Sequence, residues 1–377
     1  MVDRLLVACI ALCLTGTAAW GQNWVWKTET VDKSGQTPSI AIDPRGNLHV
    51  TYINENGVMY GFRPAESAKW FTMAIGAKAE NAYSAITTDA QGNPRICFTA
   101  YEQLHFASFK EGRWDIQPVG ENLGVIEYTC SMAIGSDGIP HMLWYQYMDP
   151  SRSLYLHLRY AAEREGAWMA ETLDFDGETG KWNSLVLDKQ GNPHLTYSAW
   201  TKGDLKYAYW NGKSWAVSVV DARDFSQATF GRGMGNSLAL APDGTPWTSY
   251  FEDQSLKVAH QTGTTWKREI VDSVSPAAST GWAGSRTSLM LDKNGDPHIV
   301  YGDYGRLKHA YWDGVHWRIQ VIESGAGGQF KQTAAIMNRG DTIYVVYGDP
   351  TDNSLKVMTG SLESPQQTAA ATKDVRK

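Results

Sequence analysis

Cysteine is scarce, with four residues in 377. Cys9 and Cys13 fall in an N-terminal segment with the features of a signal, which leaves Cys97 and Cys130 in the mature chain. Export would permit a bond between these two, but two cysteines are no disulfide framework, so a packed core must hold the fold. No Cys/His grouping has metal-ligand spacing, so no metal and no cofactor is expected. Runs of Lys or Arg are also missing, and the net charge is -6. Nucleic acids and anionic membranes select basic surfaces, so neither is an expected partner.

Long apolar runs are missing as well. The one present, Leu5–Thr15, is too short to span a bilayer. It follows Arg4 and precedes the small residues of GTAAWGQ, which is the order of a secretory signal peptide. The signal is expected to cover residues 1–21, although cleavage after Ala19 fits too. Leu6-Val7-Ala8-Cys9 matches a lipoprotein processing site only superficially, because almost nothing apolar precedes the cysteine. With no second run there is no membrane insertion. The mature protein is expected to be secreted or periplasmic, and monomeric.

What the chain has instead is repetition, with 42% hydrophobic residues, sixteen Trp and eighteen Tyr. The clearest unit is SLMLDKNGDPHIVYGDYGRLKHAYWDGVHW, from Ser288 to Trp317. A hydroxyl opens each unit at Ser39, Ser84, Ser131, Ser184, Ser237, Ser288 and Thr333, at spacings of 45, 47, 53, 53, 51 and 45 residues. An aromatic follows at Tyr52, Phe98, Trp144, Tyr197, Tyr250, Tyr301 and Tyr347. A third-strand leucine falls at Leu104, Leu154, Leu205, Leu256, Leu307 and Leu355, and a Trp at 70, 114, 168, 215, 266 and 317. Turns such as DPRGN, DKQGNP and DKNGDP place Gly where a tight hairpin needs positive φ, and Pro where a strand begins.

Four short strands in about 45–50 residues is the period of a propeller blade. The last unit lacks its fourth strand, and Trp24–Asp32 (WVWKTETVD) reads like one. The expectation is an all-β, seven-bladed β-propeller of four-stranded antiparallel blades, closed by the N-terminal strand, over residues 23–361. A polar tail, 362–377, is expected to be disordered.

Residues repeated around a ring read as scaffold. That applies to the hydroxyls, to the Trp series, and to His49, His141, His194 and His298, which share one slot. Glu252, Asp303 and Asp349 also share a slot, each followed by a lysine (Lys257, Lys308, Lys356), which points to ion pairs within blades. Departures from the repeat mark the candidate site. The loops 218–236 and 269–287 and the insertion 145–153 are expanded, and blade topology puts all three on one face. That face gathers Glu127, Tyr128, Tyr147, Asp149, Arg152, Trp182, Trp200, Phe230, Arg232, Trp282, Arg286, Tyr304, Arg306 and Lys331. Aromatic faces suit sugar rings, and Arg or carboxylates suit hydroxyls and acidic groups.

The units S-x-x-x-D-x-x-G-x-P-H-x-x-Y resemble those of exported bacterial seven-bladed propellers of the sialidase-like and lectin-like group. The resemblance covers nearly the whole mature chain and concerns scaffold. The sialidase Asp-box S-x-D-x-G-x-x-W is not present, which argues against sialidase activity. Three functions compete. The first is a glycan-binding propeller with one asymmetric site built from Glu127, Arg152, Trp182, Trp200, Arg232, Trp282, Arg286 and Lys331. The second is a polysaccharide-cleaving enzyme. A uronate lyase would use Tyr128, Tyr147 or Tyr304 with Arg232 or Arg286. A glycoside hydrolase would draw its two carboxylates from Glu127, Asp149, Glu252 and Asp303. No histidine stands on this face, which weakens the lyase. The third is a protein-interaction scaffold.

Overall fold

A computed structural model describes residues 23–77, 83–100, 102–120, 126–147, 156–222, 234–275, 286–325, 330 and 333–363. The side chains of 126–129 and of 147 are outside that description. The chain forms seven four-stranded antiparallel sheets, six of them built from consecutive strands. The innermost strands are β2 (Gln36–Ile42), β6 (Ser84–Thr88), β10 (Ile126–Ile134), β14 (Thr179–Leu187), β18 (Met234–Leu240), β22 (Thr287–Leu291) and β26 (Ala334–Met337). Each packs beside the next, and β26 returns to β2, so the sheets form a ring. We number the blades one to seven in that order.

Blade seven is completed from both ends of the chain. β1 (Trp24–Asp32) pairs antiparallel with β28 (Leu355–Leu362), from Trp24↔Leu362 to Asp32↔Leu355. Every sheet then has four strands, so β28 is paired on both sides and only short innermost and outermost strands remain as edges. β28 ends at Leu362, one residue past the expected end of the domain. The signal segment lies outside the described residues, as does the tail from 364 onward.

Alternation along the strands builds the core. The second-strand aromatics Tyr52, Phe98, Trp144, Tyr197, Tyr250, Tyr301 and Tyr347 are all buried to 1% exposure or less. Their hydroxyls would be orphaned there without partners. Tyr52, Tyr197, Tyr250, Tyr301 and Tyr347 instead donate to Asp32, Asp174, Asp221, Asp272 and Glu323 at 2.5–3.2 Å, each acceptor lying at the end of the preceding outer strand. Neighbouring blades are thus bonded through their cores. The third-strand leucines are fully buried at Leu104, Leu205, Leu256, Leu307 and Leu355. Blade three corrects the sequence alignment. Leu154 is outside the described residues, and register pairs Tyr145 with Leu158, which is fully buried. The insertion is longer than the repeat spacing suggested, so the leucine slot shifts by a full four positions.

The remaining repeated residues are scaffold. Ser39, Ser184, Ser237 and Ser288 accept the backbone N–H of Ile86, Leu238, Leu289 and Ala335 in the next inner strand at 3.0–3.3 Å. The outer Trp side chains pack edgewise onto the preceding blade, as Trp114 does on Tyr60, Trp215 on Tyr160 and Trp266 on Tyr207, with centroids 5.1–5.2 Å apart. His49, His141 and His194 bond the hydroxyls of Tyr60, Tyr160 and Tyr207 in their own blades, and His298 bonds His309. Burial lowers all four histidine pKa values, so they sit neutral in the wall.

Cys97 of blade two and Cys130 of blade three are paired in a disulfide.

Candidate functional site

The inner strands all begin on the long-loop face, where the chain enters each blade from the last. The slot two residues before the repeated hydroxyl is irregular in several blades. Thr37, Trp182 and Gly235 there have φ of 51°, 45° and 60°, and the register slips at the same places. Glycine tolerates this region; a bulky Trp rarely adopts it unless its surroundings dictate it. Trp182 is dictated. Its carbonyl accepts a hydrogen bond from the buried Asn236 amide, and its indole is 8% exposed within a cluster that includes Met234, Phe251 and Val274 of blade five.

Beside it lies a charged and aromatic nest shared by blades three and four. The Lys181 ammonium stands 4.5 Å from the centroid of Trp200 and 5.6 Å from that of Tyr145, and 3.2 Å from Glu178. Tyr145 donates its hydroxyl to Glu178, and Trp200 packs on Trp182 with centroids 5.7 Å apart. A cation over two rings and against a carboxylate is held in one place. The bulge at 180–183 therefore fixes Lys181 between the rings of Trp200 and Tyr145 and against Glu178.

Blade six supplies the second half of the face. Arg286 immediately precedes β22, and register sets Thr287 against Tyr301, which brings Arg286 alongside Gly302, Asp303 and Tyr304. Gly302 has no room for a side chain, since a Cβ there would sit 2.3 Å from the Phe330 carbonyl. The neighbouring loop is thereby clamped onto this strand. Tyr304 is 54% exposed, and Arg306 beside it is open to solvent.

Arg286 is half-buried. Burial pulls its guanidinium below the usual value. Dense protein around a group that keeps solvent contact is what a channel mouth provides, and an arginine does not give up its proton, so the result is a partly desolvated permanent cation. Tyr83 immediately precedes β6 in blade two.

Asp303 and Glu252, carboxylates a hydrolase could use, are both buried. Asp303 is 2.8 Å from Lys308, and Glu252 is bonded to Lys257. Burial alone would raise the Asp303 pKa, but the Lys308 and Ser275 hydrogen bonds outweigh it and hold it at about 2. Lys308 also reaches Asp272 of the preceding outer strand at 2.8 Å. The ion pairs expected within blades are present, and they continue between blades.

Of the residues singled out in sequence, Trp182, Trp200, Glu252, Arg286, Asp303, Tyr304 and Arg306 are described, and all lie toward the long-loop end of blades four to six. Asp149, Arg152, Phe230, Arg232, Trp282 and Lys331 lie outside the described residues, as do the side chains of Glu127, Tyr128 and Tyr147. Tyr83 went unnoticed in sequence. Its signal was there, because the slot just before the hydroxyl holds Pro38, Tyr83, Cys130, Asn183, Asn236, Thr287 and Gln332, and only blade two puts an aromatic in it.

No family model matches the chain, and no curated protein matches it. Solved structures do. An ulvan lyase bound to -[GlcA(1-4)Rha3S]- superimposes with a TM-score of 0.58 at 11% identity, covering 88% of this chain and 95% of that one. An α-L-arabinanase of Penicillium chrysogenum complexed with arabinobiose gives 0.52 at 10% identity, covering 89% and 97%. YCF48 from Cyanidioschyzon merolae gives 0.52 at 13%, covering 89% and 98%. The likeness is one of fold. It establishes the β-propeller, and the sialidase-like grouping gains no support from it.

Proposed function

We propose that this protein is an exported, monomeric carbohydrate-binding propeller with one asymmetric glycan site at the long-loop mouth of its channel. The observation that carries the reading is Arg286, a half-buried permanent cation at the start of β22, set by register beside the strand that ends at the exposed Tyr304. The clamped Lys181 and the exposed Tyr304 and Arg306 stand on the same face. Fixed cations beside aromatic surface suit a glycan bearing carboxylate or sulfate, because charge-assisted bonds are strongest from pre-positioned donors. Two of the similar structures were solved with a saccharide bound, which agrees with the reading. The Cys97–Cys130 bond agrees with an oxidising, exported setting.

A glycan array probed with wild type, Arg286→Ala and Tyr304→Ala tests it. Binding of an acidic glycan that falls in both variants is the expected result. Unchanged binding in both would reject the site, and an array without signal would favour the protein-interaction scaffold.

Cleavage at the same mouth is a second reading, favoured by the exposed phenol of Tyr304 in the blade that carries Arg286. Elimination from a uronate needs a group to exchange the proton and a cation to stabilise the carboxylate as charge develops, and Tyr304 and Arg286 are of those types. Acidic polysaccharides incubated with the protein should then yield an ultraviolet-absorbing unsaturated product that Tyr304→Phe abolishes. Release of reducing ends without that absorbance would point to hydrolysis instead.

A further inference from the structure

Among the described residues, three clefts lie on the opposite face, where the glycine turns are. One, of about 590 Å³, opens at the far end of the channel, and its Asp43 and Asp89 are already bonded within their own turns. The other two lie between blades, and they are the same place in two copies of the repeat. The cleft between blades three and four, about 700 Å³, is lined by His141, Tyr160, Gly191, Pro193 and Trp210. The cleft between blades one and two, about 360 Å³, is lined at the matching positions by His49, Tyr60, Gly92, Pro94 and Phe109. Both volumes fall in the range of small-molecule sites.

The matching positions have a common construction. A tyrosine of the earlier blade bonds the histidine and receives the edge of the next blade's outer Trp. That Trp also meets the aromatic at the end of its own third strand, Phe109 on Trp114 at 5.2 Å and Trp210 on Trp215 at 5.7 Å. The outer Trp is therefore fixed from two sides, and the second aromatic stands at the cleft wall. In the smaller cleft His49, 2% exposed, turns its Nε2 toward the Asp43 carboxylate at 3.6 Å, so Asp43 and Arg45 are the charged groups beside the aromatic rings. In the larger cleft Trp215 bonds Glu171 at 3.0 Å, and Asp137, Glu163 and Glu165 join it against one cation, Arg164.

We propose that these two inter-blade clefts are a second kind of binding site, taking rings of neutral saccharide. Aromatic walls match the apolar face of a pyranose or furanose ring, and the carboxylates that line the clefts match its hydroxyls. The excess of carboxylates in the larger cleft repels acidic sugars, so the ligand class is the reverse of that proposed for the channel mouth. The inference does not depend on the mouth being a site, because it uses none of the same residues.

The test is calorimetry on the intact protein with neutral tetrasaccharides of glucose, xylose, mannose and arabinose, and with a tetragalacturonate as the acidic probe. At least one neutral probe should bind, and Trp210→Ala should weaken the blade-three/four event about tenfold. Phe109→Ala should act on the blade-one/two event alone. Trp312→Ala, at the equivalent position of blade six, controls for loss of stability and should change neither, while Arg286→Ala leaves both intact and affects only acidic glycans. No heat with any neutral probe, or binding that Trp210→Ala and Phe109→Ala leave unchanged, overturns the proposal. Tetragalacturonate binding that Trp210→Ala removes overturns the assigned class.

Discussion

The two faces of this ring are written in different ways. On the glycine-turn face the blades repeat one another: an Asp or Asn bonds its own turn in all seven, a glycine with positive φ sits in six of the turns, and four blades carry a histidine, three of them bonded to a tyrosine. On the long-loop face each blade departs from its neighbour, with a bulged Trp182 in blade four, Arg286 in blade six and Tyr83 in blade two. Repetition marks what every junction between blades requires. Departure marks what only the whole molecule requires, and the central mouth is the one place that all blades share.

The comparison can be broken by experiment, and the largest effect should come from the repeated set. Tyr301→Ala removes a fully buried ring and the bond to Asp272, and should lower unfolding free energy by about 3–5 kcal/mol in a denaturant titration. Activity or glycan binding lost without that destabilisation would contradict its assignment as scaffold. Replacing both Cys97 and Cys130 by alanine opens a loop of 33 residues and should cost about 3–4 kcal/mol by the chain-entropy argument. No change would show that neighbouring blades hold without the bond.

Acid should act through the same repeated slot. His298 is held at about 4 by burial, and burial also lowers His309, which has coulombic repulsion from His298 added to it. The folded values lie below the ordinary 6.5, so the unfolded chain binds the proton first. Stability is full above pH 6.5 and falls as pH drops toward 4, by roughly 3 kcal/mol for His298 alone. Melting temperatures between pH 7 and 4 check this, and His298→Gln with His309→Gln should flatten the profile. Arg286→Ala sits at the other extreme. It should leave the melting temperature nearly unchanged, yet weaken binding of an acidic glycan by about 1.5–3 kcal/mol, the value of a charge-assisted bond.

The fold was legible because the repeat spells it out. A hydroxyl, an aromatic, a leucine and a Trp at fixed spacing define four strands, and the missing Trp of the last unit points to Trp24–Asp32 as its completion. The pairing of β1 with β28 is what that reading requires. The site was legible only as a set of departures. Arg286 stood out because charge before an inner strand is rare here, whereas Tyr83 hid among aromatics that pack the core. Trp182 looked like a free stacking surface, and no spacing could show that its backbone turns left-handed and tucks the indole under blade five. Leu154 was misplaced for a related reason: an insertion keeps its residues in sequence but not its register.

The closure of blade seven has a consequence for biosynthesis. Asn23 and Glu363 are 340 residues apart and lie against each other at the seam. Bringing such distant ends together costs on the order of 5 kcal/mol in loop entropy, and it can happen only once the final strand exists. A chain synthesised N-terminus first must carry Trp24–Asp32 unpaired until the last blade arrives. During that interval the strand is a sticky end whose proper partner has not been made. The seam therefore acts as a completeness check, since an interrupted chain keeps an exposed edge that marks it for proteolysis or aggregation, while a finished one hides it.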